Sequence, residues 1–311
     1  MLDLTVALAG LFVGFVVGLT GMGGGALMTP LLVLLFGIQP LAAVSSDIVA
    51  SMVMKPVGGA VHWRSGTVNR RLVLWLMLGS VPSAFFGVFL LKSFGTGPEM
   101  QTAVKHALGV ALFIVASGLV LRPLLTRARA ARGDSEAPLQ VRPLPTLCIG
   151  IVGGLVVGVT SVGSGSLMIL MLLMLYPAIR LKELVGTDLV QAVPLVASAA
   201  IAHLLFGDFK LSLTASILIG SIPGVYLGAR FSSRAPDHVI RPALVVVLLA
   251  SALKLLGVST FWVGIVGATL TVVGIAYAVT VSQRLARARV LEAAPARVVE
   301  TAPAPEPGVH A

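Results

Sequence analysis

The chain is written twice. Residues 14–28, GFVVGLTGMGGGALM, align with 154–168, GLVVGVTSVGSGSLM, at an offset of 140. After one inserted residue the offset becomes 141 and holds: Ser46-Asp47 matches Thr187-Asp188, His62 matches His203, and GSVP at 79–82 matches GSIP at 220–223. A register kept over such a length marks a duplication, so whatever one half folds into, the other must fold into as well. The repeat divides the chain into 1–121 and 145–256. A basic linker at 122–144 joins them, an additional apolar segment occupies 257–283, and an Ala/Pro-rich tail at 284–311 reads as disordered.

Each half offers five apolar segments, at 4–20, 26–37, 41–63, 71–91 and 103–121, repeated at 145–160, 166–177, 183–205, 211–229 and 238–256. With 57% hydrophobic and 11% charged residues, this is the pattern of an all-α, polytopic helical membrane protein in contact with the lipid bilayer. The start, MLDLTVALAGLFVGF, lacks a basic region and a cleavage site and reads as a first membrane segment. The segments at 26–37 and 166–177 are short. Twelve helical residues rise about 18 Å, well under the hydrocarbon thickness, so these pieces are expected to be re-entrant or parts of broken helices.

An odd number of crossings per repeat inverts the second half, and the basic residues agree. If the linker is cytoplasmic, every arginine and Lys182 fall on that side. Lys92, Lys105, Lys210 and Lys254 fall on the other, and Lys55 lies within a span. The expected arrangement is two inverted-topology repeats in a bacterial inner membrane, with linker and C-terminus cytoplasmic. The net charge of +10 is thereby assigned to orientation, with no nucleic acid as partner.

Glycine interrupts both repeats at the same place: TGMGGG at 20–25 and TSVGSG at 160–165 each precede a short apolar segment. Non-helical backbone at membrane depth is tolerated where it is buried in protein or lines a cavity. A helix N-terminus beyond such a break offers N–H groups and a positive dipole end to an anion. The candidate anion-binding residues are Thr20, Gly21, Gly23, Gly24 and Gly25 in the first repeat. Thr160, Ser161, Gly163, Ser164 and Gly165 are their counterparts in the second. Inversion brings the two tips together. A side chain at Gly24 or Gly165 is expected to obstruct the ligand, to strain a positive φ, or both. The alternative is that the glycines only permit close helix packing.

On the third segment Asp47, Ser51, Lys55, Gly58 and His62 share one helical face; the twin face carries Asp188, Ala192, Val196, Ala199 and His203. Asp47 and Asp188 fit either a proton-coupling role or helix N-capping. Lys55, which has no basic counterpart, fits either anion neutralisation or a snorkelling structural lysine. His62 and His203 fit either a gate or relay or a structural role. No metal-ligand cluster and no cofactor motif stands out; one cysteine, Cys148, supports neither a disulfide nor a thiolate metal site.

At these residues the sequence resembles the sulfite exporter TauE/SafE family. The strings are GLTGMGGGALMTP, SSDIVASMVMKPVGGAVHWRSGTVNRRLV with LGSVPSAFFG, and VGTDLVQAVPLVASAAIAHLLFGDFKL with GSIPGVYLGAR, within about 1–256. The resemblance implies a carrier of small sulfur-containing or organic anions such as sulfite or sulfoacetate. A proton- or potential-coupled secondary transporter is the expectation. An uncoupled anion channel and a membrane scaffold are the alternatives. An enzyme is not expected, since neither H-E-x-x-H nor G-x-S-x-G is present.

Overall fold

The structure, a computed structural model, describes residues 3–20, 24–64, 66, 68–93, 95, 97–130, 140–177, 179–231 and 237–293. Among these residues it is all-helical, with eleven helices. They are α1 (Leu4–Thr20), α2 (Gly25–Leu34), α3 (Pro40–Arg64), α4 (Arg70–Ser93) and α5 (Pro98–Ala130). The second series is α6 (Pro143–Thr160), α7 (Ser166–Leu175), α8 (Leu181–Phe206), α9 (Leu211–Phe231) and α10 (Asp237–Leu255), and α11 (Thr260–Ala293) follows. Five helices are long and apolar enough to cross a membrane. Two helices run on past their expected ends: α5 continues into the linker to Ala130, and α11 into the tail to Ala293. Both extensions are rich in Ala, Arg and Leu, which favour helix.

Each strand of the duplication packs on the other. α1 lies along α9, where Gly10, Gly14 and Gly18 face Gly220, Gly224 and Gly228, and α4 lies along α6, where Gly79, Ser83 and Ala84 face Gly150, Gly154 and Gly158. In lipid there is little hydrophobic gain from helix association, so close backbone approach and dispersion must hold the helices together. The approach is close enough that a Cβ on Gly220 would stand 1.8 Å from the Ala7 carbonyl oxygen, and one on Gly154 would stand 2.4 Å from that of Ser80. Gly220→Val and Gly154→Val are therefore expected to destabilise by at least the 1–3 kcal/mol of ordinary overpacking. The check is melting temperature and yield of purified protein, both of which should fall.

Contact positions give the helix directions. Along α1 and α9, Gly10 meets Ile217 and Gly18 meets Val225, so the two are parallel. Along α3 and α9, the Thr214 hydroxyl donates to Ser46 O (3.2 Å) and Ser221 Oγ meets Met54 Sδ (3.2 Å), again parallel. It follows that α1 and α3 point the same way, so the chain between Thr20 and Pro40 must turn back, and α2 is the returning limb. The second repeat does the same. α4 is parallel to α6, with Gly79 at Leu147 and Gly87 at Leu155. It is parallel to α8 as well: Asn69 N donates to Thr187 Oγ1 (3.0 Å) and Ser198 Oγ to Val81 O (2.7 Å). α7 is then the returning limb. The repeat-matched helices α3 and α8 pack antiparallel, with Ser45 at His203 and Gly59 at Val193. Two apolar cores flank this pair. One is built on Leu32, Leu108, Leu112 and Leu248; the other on Ile48, Leu72, Leu76, Met168 and Leu172.

Candidate functional site

The site grows from the break between α6 and α7. α6 ends at Thr160 and is capped by Ser161, whose backbone is left-handed (φ 60°), and Gly163 (φ 114°) and Gly165 (φ 152°) also take positive φ. Glycine bears such angles without cost, whereas Ser161 must be held there by its partners. α7 starts after Gly165 with no side-chain cap. In the first repeat α2 likewise starts without a side-chain cap, but its N-cap, Gly24, is helical (φ −59°) and open on its Cβ side. The positive φ expected there is absent. Gly21 and Gly23 lie outside the described residues.

The two tips meet. A Cβ on Gly25 would stand 2.0 Å from the carbonyl oxygen of Ser161, so only glycine fits at the start of α2. A cavity of about 80 Å³ is lined by Thr20, at the end of α1, by Gly165 and Ser166, at the start of α7, and otherwise by apolar residues and glycine of α5, α7 and α8. That is several times the smallest volume that holds a water.

α3 supplies both charges to the second tip. The Lys55 ammonium donates to Ser164 Oγ and to the Ser164 carbonyl oxygen (3.3 Å). Two turns earlier, Asp47 Oδ2 accepts from Ser161 Oγ (2.7 Å) and from Thr29 Oγ1 on α2 (2.9 Å). Asp47 is 1% exposed, and its other oxygen, Oδ1, is buried with no partner. Among the described residues the one salt bridge joins exposed Lys210 and Asp208, so Asp47 forms none. N-capping does not account for either aspartate. Asp47 and Asp188 lie two turns inside α3 and α8, beyond the reach of a first-turn cap.

The twin aspartate is served differently. Asp188 Oδ1 accepts from Gln191 Nε2 (3.4 Å), and Gln191 Oε1 accepts from Ser80 on α4 (3.3 Å). The repeat positions of Ser161 and Thr29 are Gly21 and Ile169, so Asp188 has no equivalent hydroxyls to receive. The hydroxyls of Thr20 and Thr160 donate to their own helices, at Val16 O (2.9 Å) and Val156 O (2.6 Å).

His203 joins the framework of the break. A helix leaves its last four carbonyls without intrahelical partners. At the end of α6, Val157 O accepts from Ser161 N (2.8 Å), and Gly158 O lies 2.7 Å from His203 Nε2. A carbonyl can only accept, so Nε2 carries a proton. Nδ1 then accepts from Ser45 Oγ (2.8 Å), and Ser45 Oγ accepts from Asp208 N (3.2 Å). A neutral imidazole satisfies every bond. His62 lies on α3, and its side chain lies outside the described residues. Thr29 and Ser45 had no signal in the repeat; a polar residue facing an intramembrane carboxylate is visible only once α2 is seen folded back on α3.

Two short helices that begin at glycine, buried carboxylates on the packed pair α3 and α8, and long apolar helices define a polytopic membrane protein. The sulfite exporter TauE/SafE family model matches residues 6–255, and the chain belongs to that family. It is a membrane transporter of this type, and the family implies a small anion as substrate. The chain is 40% identical over 256 residues to the "Probable membrane transporter protein YjnA" of Bacillus subtilis (strain 168), covering 82% of this chain and all of that protein. It is 27% identical to YdhB of the same organism over 245 residues (78% and 96%). It is 25% identical over 258 residues to a "Probable membrane transporter protein" of Xylella fastidiosa (strain Temecula1 / ATCC 700964), covering 81% and 94%. No solved structure matches the chain.

Proposed function

We propose that the protein is a secondary transporter of small sulfur-containing or organic anions, such as sulfite or sulfoacetate, in a bacterial inner membrane. The anion is held at the Ser164–Ser166 tip, against the N-terminus of α7 and the Lys55 ammonium. The observation that carries this is Lys55: a cation from one repeat reaches the uncapped helix start of the other, where a dipole already favours negative charge. The antiparallel packing of α3 and α8 supports inversion of the halves, and broken helices at matching positions are the usual substrate sites of inverted-repeat carriers. Asp47 is the coupling group. A buried carboxylate without a cationic partner costs several kcal/mol, which protonation removes, and Oδ1 is open to receive the proton. Asp188 is a second candidate for this role.

The test is binding of sulfite, sulfate, sulfoacetate and small carboxylates to the purified protein. Saturable binding of at least one, competed by the others of like charge and size, is expected; no binding of any contradicts the reading. An uncoupled channel would dissipate an anion gradient in proteoliposomes and never accumulate substrate against one. Orientation has its own check. With Cys148→Ala as background, an impermeant thiol reagent on intact cells should label Asp208→Cys and not Ser135→Cys. The reverse pattern contradicts the orientation.

A further inference from the structure

A groove of about 650 Å³ runs between α3, α4 and α8, away from the anion tip. It exists because α3 carries Pro56, Gly59 and Ala60 where larger side chains would fill the space, and because Gly59 lets Val193 of α8 come close as the floor. Its walls are apolar, and the residues that line it include no carboxylate. At one end stand Arg64 and Arg70, where α3 gives way to α4. Arg70 lies over the Trp63 ring, 5.0 Å from its centre, a contact that holds a guanidinium at the boundary between apolar and polar surroundings. Neither arginine forms a salt bridge among the described residues. The nearby acid, Glu183, accepts from Asn69 Nδ2 (2.9 Å).

We propose that this groove binds an anionic phospholipid of the cytoplasmic leaflet, its acyl chain along Ala60 and Val193 and its phosphate between Arg64 and Arg70. The groove has the two parts such a lipid needs, in the right order: an apolar slot, then an unpaired double positive charge at its mouth. A free anion fits the arginines but gains nothing from the slot, and a zwitterionic lipid fills the slot but brings its own cation to the arginines. Basic pockets between membrane helices on the cytoplasmic side recognise anionic headgroups in this way. The slot also borders Pro56, next to Lys55, so an acyl chain there braces the helix that carries both site charges.

The experiment uses the full chain in detergent, titrated with phosphatidylglycerol or phosphatidylcholine of the same acyl composition, read by native mass spectrometry and by melting temperature. Wild type should retain phosphatidylglycerol preferentially and be stabilised by it. Arg64→Gln with Arg70→Gln should reduce phosphatidylglycerol affinity roughly 10- to 30-fold while leaving phosphatidylcholine unchanged. Ala60→Phe, which fills the slot and keeps the charges, should weaken both lipids. Equal retention of the two lipids by wild type overturns the proposal, as does an undiminished preference in the double variant. So does displacement of the lipid by millimolar sulfate, which would make the mouth a free-anion site. If the double variant does not fold, Arg64→Gln and Arg70→Gln singly carry the same comparison.

Discussion

Replacing Lys55 with methionine will abolish measurable anion binding while leaving the protein folded. Methionine keeps the apolar stem and removes the ammonium, so the packing of α3 changes little. The ammonium is the cation that reaches the tip, through Ser164. Truncating one member of a buried, hydrogen-bonded charge pair typically costs about 2–5 kcal/mol, a loss of roughly 30- to several-thousand-fold in affinity. Lys55→Arg keeps the charge but changes its shape, and should retain part of the affinity. A structural lysine would behave otherwise: the methionine variant would melt lower, and its folded fraction would bind as wild type does. Isothermal titration with sulfite or sulfoacetate, beside a melting curve, separates the two outcomes.

The second large effect belongs to Asp47. Asp47→Asn should eliminate accumulation of substrate driven by a pH gradient, while exchange of labelled for unlabelled anion across proteoliposomes continues. Asparagine can still accept from Ser161 and Thr29 through its carbonyl oxygen, so the links to α6 and α2 survive. What it cannot do is gain or lose a proton at the position of Oδ1. Asp188→Asn should have the smaller effect, since Asp188 already accepts from Gln191 and has no bond to the tip hydroxyls. If pH-driven accumulation survives in Asp47→Asn, Asp188→Asn and the double variant alike, neither aspartate carries the proton.

Much of this architecture was legible in the sequence because a duplicated membrane protein states each element twice. The helix set follows from apolar run lengths, and the two short limbs betray themselves because ten or twelve residues cannot cross a bilayer. On α8, Asp188, Ala192, Val196, Ala199 and His203 are all buried. Direction within the short pairs was not legible, because the tips carry no lysine or arginine to mark a side. Only the parallel run of α1 with α3 shows that α2 turns back. Nor could TGMGGG tell which glycine bends, since any of four permits it; the structure leaves Gly24 helical and makes Gly25 the close contact. The packing reading of glycine holds on α1, α6 and α9, where a Cβ would strike a neighbouring backbone, and at Gly25, where it would strike Ser161. Hydroxyl partners stayed hidden for a different reason. Thr29 and Ser161 matter only because Asp47 of one repeat meets the tip of the other, and their repeat positions are apolar or glycine.

The glycine tips are the centre of the account, and Gly165 is where the account is most exposed. Valine there must adopt a backbone near φ 152° that side-chain-bearing residues avoid, and it would place methyl groups at the start of α7, where the anion is held. Gly24→Val is the companion, since its Cβ meets open space and costs the fold little. The direct measurement is the dissociation constant for sulfite, or for whichever anion binds wild type, on purified Gly165→Val protein with its melting temperature recorded beside it. The account predicts that affinity is lost in protein that still melts cooperatively. Wild-type affinity in folded Gly165→Val would place the anion elsewhere and contradict it.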